Sequence, residues 1–401
     1  MGALSGMISF DEAVERVRET ALPIGVETLE LSEAARRVLA QPVVARIDSP
    51  RADVSAMDGY AVREADLSAF PASLPVVGAS YAGAAWNGEL KAGTSVRIFT
   101  GAPVPKGADR VIIQENVEQE GDLANLAAHP GPARHIRKRG GDFKAGDTLL
   151  QAGRLLDARA IVAAAGADSG EVNVYVRPLV TILATGDELA EPGTAAKRPD
   201  AIPESVSFGV AALVEQWGGL VLARRRLGDH LSTITQAAAE ACAESHLVVV
   251  TGGASVGEKD FAKPMFGPLG LELIFSKVAI KPGKPVWLGR AGGTLVIGLP
   301  GNPTSALATA RLLLAPLLCG LVGRGVDEAL KWRLLPIHDR LNECGPRETF
   351  HRGSAVGGHA NLLLNQDSSA QHALAEADLL LRQRANAPGL EAGALVEVLD
   401  F

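Results

Sequence analysis

The sequence predicts a multidomain protein of class α/β plus β. From Pro178 onward, short β-branched apolar runs alternate with amphipathic stretches, the pattern of a mostly parallel sheet with helices on both faces. Residues 48–138 are instead rich in Gly, Pro and β-branched residues, the signature of an inserted β-rich domain. At 401 residues the chain also exceeds what one ordinary core holds together.

In chain order, Ser9 and Glu12 form an S-x-x-E capping box, which opens a helix through Val14 and Val17. A second helix is predicted over 32–40. Strands are expected at 74–77, 95–99 and 110–117, followed by a turn region at 140–150 and a helix over 157–166. The regular portion then reads strand 179–184, helix 205–217, strand 220–225, helix 232–243 and strand 247–250. Two further strands, 286–289 and 294–297, precede a helix that begins near Asn302-Pro303. Residues 326–401 show short alternating runs and read as a second small β domain.

Composition excludes several function classes. A net charge of −7 argues against a nucleic-acid binder. Cys242, Cys319 and Cys344 are odd in number and far apart, which suits neither a disulfide framework nor a zinc site and fits a reducing, cytoplasmic compartment. The opening MGALSGMISFDEAVERVRET has no apolar h-region, so it does not read as a signal peptide. The longest apolar run, 306–322, is interrupted by Arg311 and Pro316, and no membrane span is expected.

Four loops carry the chemistry. Ligands of open α/β sheets bind beyond the carboxyl ends of the strands, and three of the loops follow strands there. Thr185-Gly186-Asp187-Glu188 sets two carboxylates just past a buried strand; capping the next turn is the alternative account. Thr251-Gly252-Gly253-Ala254-Ser255-Val256-Gly257-Glu258-Lys259-Asp260 offers a glycine-rich turn whose backbone can approach a phosphate closely, with Ser255 as an added donor. Lys281-Pro282-Gly283-Lys284-Pro285, with Lys277 upstream, holds lysines on a proline-braced backbone, as an oxyanion site needs. Leu299-Pro300-Gly301-Asn302-Pro303-Thr304-Ser305 presents a helix start, with Asn302 as cap and Pro303 at the first helical position. A competing pattern is Gly253-Ala254-Ser255-Val256-Gly257, a G-x-S-x-G nucleophile elbow that His338, His351, His359 or His372 could serve as a serine hydrolase. That reading leaves the lysine loop without a task.

These loops, with Ser55-Ala56-Met57-Asp58-Gly59-Tyr60-Ala61 and Phe99-Thr100-Gly101-Ala102-Pro103 upstream, resemble the molybdopterin molybdenumtransferases, the bacterial MoeA family and the E domain of gephyrin. The likeness spans nearly the whole chain. It implies a discontinuous extended domain (1–47 and 139–177), the inserted β domain (48–138), a molybdopterin-binding α/β domain (178–325) and a barrel-like C-terminal domain (326–401), in a homodimer. It implies that adenylylated molybdopterin and molybdate are the substrates, that AMP is released and that Mg2+ is required. Carried over by position, Asp58, Thr100, Glu188, Asp229 and Asp260 fall on catalytic residues. Thr185, Gly186, Asp187, Gly252, Gly253, Ser255, Lys277, Lys281, Lys284, Pro300, Asn302, Pro303, Arg352 and Ser368 fall on the substrate site. Asp187, Glu188, Asp229 and Asp260 are the expected metal ligands, being hard oxygen donors. Other proteins of the cofactor pathway, or apo-molybdoenzymes, are implied partners. Two departures stand out: Val206 occupies a place where the family has asparagine, and Gly140-Gly141-Asp142 replaces a Gly-Glu-Asp. A divergent paralogue that binds a pterin or nucleotide, or scaffolds a partner, is therefore the alternative function.

Overall fold

The computed structural model describes residues 6–252 and 261–401. Its α/β domain is built on a six-stranded sheet in the order Leu220–Leu227, Leu179–Thr185, Leu247–Thr251, Thr294–Leu299, Trp287–Ala291, Glu272–Phe275. The first four strands run parallel, and the last two join antiparallel through a hairpin at Gly292-Gly293. The strand Glu272–Phe275 has no clear signal in the sequence, because its Glu-Leu-Ile-Phe run is short and has no alternation.

Period-two alternation along the central strands divides the core. Ile182, Val249 and Ile297 pack against Val210, Leu213 and Val214 of the helix Val206–Gln216. Leu183, Val248 and Val296 face the opposite way, against Ile234, Ala238 and Ala241 of the helix Leu231–Glu244. Helices thus cover both faces. The stretch Pro303–Leu321 is continuous helix, with a π segment at Ala310–Leu314. By length and composition it could cross a membrane, but 94% of it is buried in the protein, as a core helix is.

Ser9 caps the helix Phe10–Thr20 as the capping box requires, accepting from the Glu12 N–H at 3.1 Å. Phe10, Ala13, Val14 and Val17 bury against the α/β core. The helix expected over 32–40 does not form. A single 3-10 turn at Leu31–Glu33 is followed by Arg36 at φ +63°, which no right-handed helix accommodates. The backbone pairs elsewhere instead: Arg36 N–H donates to Leu156 O and Leu39 N–H to Arg154 O. Tertiary pairing overrides local propensity here. Residues 34–45 share a small core with 156–174, and Val26–Glu30 pairs with Glu171–Tyr175.

The inserted region forms a six-stranded sheet in the order Arg110–Ile113, Gly59–Val62, Ser95–Ile98, Ala72–Ser80, Leu123–Leu126, Glu118–Glu120. The run expected over 110–117 breaks after Ile113 into a 3-10 turn, Gln114–Asn116. The last segment forms a sheet of Arg333–Pro336, Leu395–Asp400, Leu379–Gln383, Glu348–Val356 and His359–Leu362. Ile280–Lys281 of the lysine loop joins it beside Glu348 and Thr349.

Candidate functional site

Thr185 and Thr251 end adjacent parallel strands, and Leu299 ends the next. The turns that follow crowd together. Gly252 sits at φ +91°, and a Cβ there would lie 2.5 Å from the Thr185 carbonyl oxygen. A Cβ on Gly301 would lie 3.4 Å from the Gly252 Cα. Glycine at 252 is therefore required on two counts, space and backbone conformation. Above these turns lies a cavity of about 350 Å³, within the usual range of roughly 300–1,000 Å³ for small-molecule sites.

Thr185, Gly186, Glu188, Gly252, Asn302 and Pro303 of the strand-end loops line this cavity, and so does Asp229, which the family resemblance alone had named. Short parallel pairing of Leu189–Ala190 with Ile202–Pro203 carries Glu188 and Glu204 to its rim. Asp187 does not line it. Its carboxylate accepts the Asp229 N–H at 2.9 Å and so fixes the turn that presents Asp229. Gly253, Ser255 and Asp260, and with Ser255 the elbow pattern, lie outside the described residues.

The fourth wall comes from the C-terminal domain. Arg352 is 1% exposed, and its guanidinium donates to the carbonyls of Asn365 at 3.0 Å and Asp367 at 3.1 Å. That holds the 365–369 turn in place. Ser368 then accepts from the Asn302 side-chain amide at 2.9 Å, and its carbonyl accepts from Thr304 N–H. Ser369 and Gln371 complete the cavity wall. Arg352 and Ser368 thus shape the site through the turn and the helix start that they hold. Pro300 is buried below it.

The lysines stand elsewhere. Lys281 lines a second cavity, of about 390 Å³, with Arg347 and His351. Burial pushes the His351 imidazole below its ordinary pKa; the Lys281 and Arg352 charges push the same way, while a side-chain contact with Gln383 opposes them. Lys277 and Lys284 are exposed and line neither cavity. In the inserted domain Asp58 and Thr100 form a pair: the Asp58 carboxylate accepts the Thr100 N–H at 2.7 Å and its hydroxyl at 2.8 Å. Those two bonds hold the carboxyl below its usual range. The pair does not line the strand-end cavity.

Comparison with known proteins bears on what such a cleft serves. The MoeA N-terminal region (domain I and II) matches residues 8–167, and the probable molybdopterin binding domain matches 181–319. A molybdopterin molybdenumtransferase of Haemophilus influenzae is 38% identical over 320 residues, 79% of this chain and 78% of that protein. The chain belongs to the molybdopterin molybdenumtransferase family. A Nostoc molybdopterin molybdenumtransferase is 34% identical, over 82% of this chain and 77% of that one. The crystal structure of a molybdopterin biosynthesis MoeA protein from Pyrococcus horikoshii superposes with a TM-score of 0.85, at 27% identity, over 98% of this chain and 100% of that chain.

Within this family architecture a hollow of about 1,000 Å³ beside Glu115, Glu118 and His129 lies on the inserted sheet and is lined by none of the motif residues. Of the motif residues, Thr185, Gly186, Glu188, Asp229, Gly252, Asn302 and Pro303 meet at the strand-end cavity. Sequence reasoning missed Ser369 and Gln371. The available signal was the Asp367-Ser368-Ser369 turn, in which the Asp367 carboxylate accepts both the N–H and the hydroxyl of Ser369. As a metal site the described residues offer Glu188 and Asp229 on the cavity wall, and no group of three or more ligating side chains occurs among them. One or two carboxylates beside substrate phosphates suit magnesium, which usually keeps its waters and takes few protein ligands.

Proposed function

We propose that this chain inserts molybdate into adenylylated molybdopterin and releases AMP. The observation that carries this reading is the strand-end cavity with Gly186, Gly252 and Gly301 in its floor and with Glu188 and Asp229 on its wall, in a chain of this family. The bare turns at Gly252 and Gly301 allow a phosphorylated ligand to approach the backbone, and the helix start at Pro303 favours negative charge. Glu188 and Asp229 would hold Mg2+, which when bound would offset charge on the phosphate oxygens. Asp187 keeps Asp229 in position. Lys281, beside Arg347, supplies positive charge for the molybdate dianion, with Lys284 on the same loop and Lys277 just upstream. Gly253, Ser255 and Asp260 are assigned to the same site by the motif in which they stand.

We also read the active form as a homodimer. Asp58 and Thr100 do not line the cavity of their own chain, and a second copy is the simplest source of such a pair. A small barrel-like form for the C-terminal domain is supported by the bridge from Ile337 to Ala360 across the ends of its sheet. The cytoplasm, where the three buried thiols stay reduced, and hand-over to other proteins of the pathway or to apo-molybdoenzymes complete the reading.

The test is AMP release by purified protein given adenylylated molybdopterin, molybdate and magnesium. Release should be lost on chelation, and should fall at least tenfold in Glu188→Gln and in Asp229→Asn while both variants keep the wild-type melting temperature. Wild-type rates in both variants would move the metal site elsewhere. Ligand binding without any AMP release would favour the paralogue reading, for which Val206 is the motivating observation.

A further inference from the structure

A cavity at the opposite end of the sheet has no part in the function proposed above. It lies by the amino ends of the strands, where Arg177 precedes Leu179–Thr185 and Gly218 precedes Leu220–Leu227. Residues 35–38 and Leu155 close it from the other side. Its volume is about 170 Å³, and four arginines, Arg36, Arg37, Arg177 and Arg324, line it against one carboxylate, Glu215.

Arginine clusters are most often a solvated face, with each side chain spread into water. This one is built differently. The side chains of Arg37 and Arg324 are only 13% and 21% exposed. Arg37 is held by Glu27 and by the Tyr175 carbonyl at 2.8 Å, and Arg324 by Glu328 at 3.2 Å. Arg177 donates to the carbonyls of Gly218, at 3.2 Å, and Gly219. Three guanidinium groups are thus fixed around one space before any ligand arrives. Glu27 and Glu328 offset part of the charge from behind. Arg36 and Arg177 have no carboxylate bonded to them among the described residues, so positive charge is left over.

Two donors on the lining side chains, Arg37 Nε and Trp217 Nε1, are buried without a hydrogen-bond partner. Such groups are rare in folded proteins, since burying them unpaired is unfavourable. Crowding shows in Arg177 too: burial first, then the Arg37 guanidinium, lowers its pKa from the ordinary arginine value.

We propose that this cavity binds a small tetrahedral oxyanion, held by the guanidinium groups of Arg36, Arg37, Arg177 and Arg324. Arginine forks suit tetrahedral oxyanions because two parallel N–H groups meet two oxygens. Size narrows the ligand. The volume equals about five or six waters at roughly 30 Å³ each, room for one phosphate-sized ion. A dianion here neutralises like charges contributed by two separate parts of the chain, so its binding strengthens the junction between residues 35–38 and the α/β domain. Phosphate, sulfate and molybdate share this chemistry.

The three ions are titrated separately into the full-length protein, with calorimetric binding and melting temperature as readouts. At least one should bind saturably at this site and raise the melting temperature; which ion does so identifies the source. The double variant Arg36→Gln/Arg324→Gln should weaken that binding at least tenfold. Glu215→Gln, which removes the lining carboxylate, should tighten it several-fold and serves as the deciding variant if the double variant fails to fold. Molybdate also binds the lysine side in the reading above, so only binding that responds to Arg36, Arg324 or Glu215 counts. The proposal is overturned if no ion shows binding that depends on these residues, whatever the outcome of the AMP assay.

Discussion

Glu204 caps the helix that follows it: one carboxylate oxygen accepts the Ser207 N–H at 2.8 Å, and the other accepts the Ser207 hydroxyl. Arg224 donates to that same hydroxyl at 3.0 Å, tying the cap to the edge strand Leu220–Leu227. Ser205, the formal N-cap, makes no side-chain bond of this kind. Glu204→Ala should therefore lower stability by about 1–2 kcal/mol, the range for a lost N-terminal cap, and should disturb the cavity wall. Chemical denaturation checks it; an unchanged midpoint would show that Ser205 caps the helix in solution.

Val206 stands where the family resemblance leads one to expect asparagine, and its surroundings explain why valine is stable there. It is 7% exposed and packs with Val210 and Leu213 in the main core while also touching the cavity. Val206→Asn buries an amide where no partner is prepared, at about 1–3 kcal/mol. A fall in melting temperature is expected together with any change in turnover. If AMP release rises although the protein is less stable, valine has displaced a substrate contact. If stability falls and turnover does not change, the position serves packing alone.

Asp58 owes its lowered pKa first to the backbone N–H of Thr100 and then to the hydroxyl. Thr100→Val removes only the second, so the Asp58 carboxyl should titrate higher than in the wild type, yet still below its ordinary value of about 3.9. Because the folded value is depressed, the pair favours the folded state above the ordinary carboxylate range, and that contribution fades as pH falls through the folded value. A carboxyl carbon NMR titration follows Asp58 directly; identical curves for both proteins would place the hydroxyl bond in doubt.

His351 offers a check on the lysine side. Burial is the first cause of its lowered value, with Lys281 adding to it. Lys281→Gln should raise the imidazole pKa part of the way towards about 6.5, and, on the proposed function, weaken molybdate binding about tenfold. With the folded value depressed, His351 contributes stability above about 6.5 that is lost as pH falls from there through the folded value. Imidazole NMR resonances report the first effect and equilibrium dialysis the second. A moved imidazole with unmoved affinity would keep the geometry and discard the oxyanion role.

What the sequence made legible followed physical regularity. The strand-end motifs sit on buried, β-branched strands, and the strands expected at 179–184, 247–250 and 294–297 form and run one or two residues further, to Thr185, Thr251 and Leu299. Pro303 likewise takes the first helical position as expected, although the Asn302 side chain makes no capping bond and turns to Ser368 instead. Residues 32–40 failed because helix-compatible side chains say nothing of Leu156 and Arg154, whose carbonyls claim that backbone. Ser369 and Gln371 were out of reach for the same reason. Their place on the cavity wall depends on Arg352 and on the contact between Ser368 and Asn302, both long-range.

The crowded glycine turns at the strand ends have one more consequence. Bare backbone at these glycines has no means of telling one ligand from another by size or polarity, and position 252 tolerates almost no substitution, since even a methyl group there meets the Thr185 carbonyl. Selectivity must then reside in the walls, and those come from two stretches far apart in the chain: Glu188, Glu204 and Val206 on one side, Ser369 and Gln371 on the other. The glycine turn fixes where a ligand sits, and the two walls decide which ligand it is.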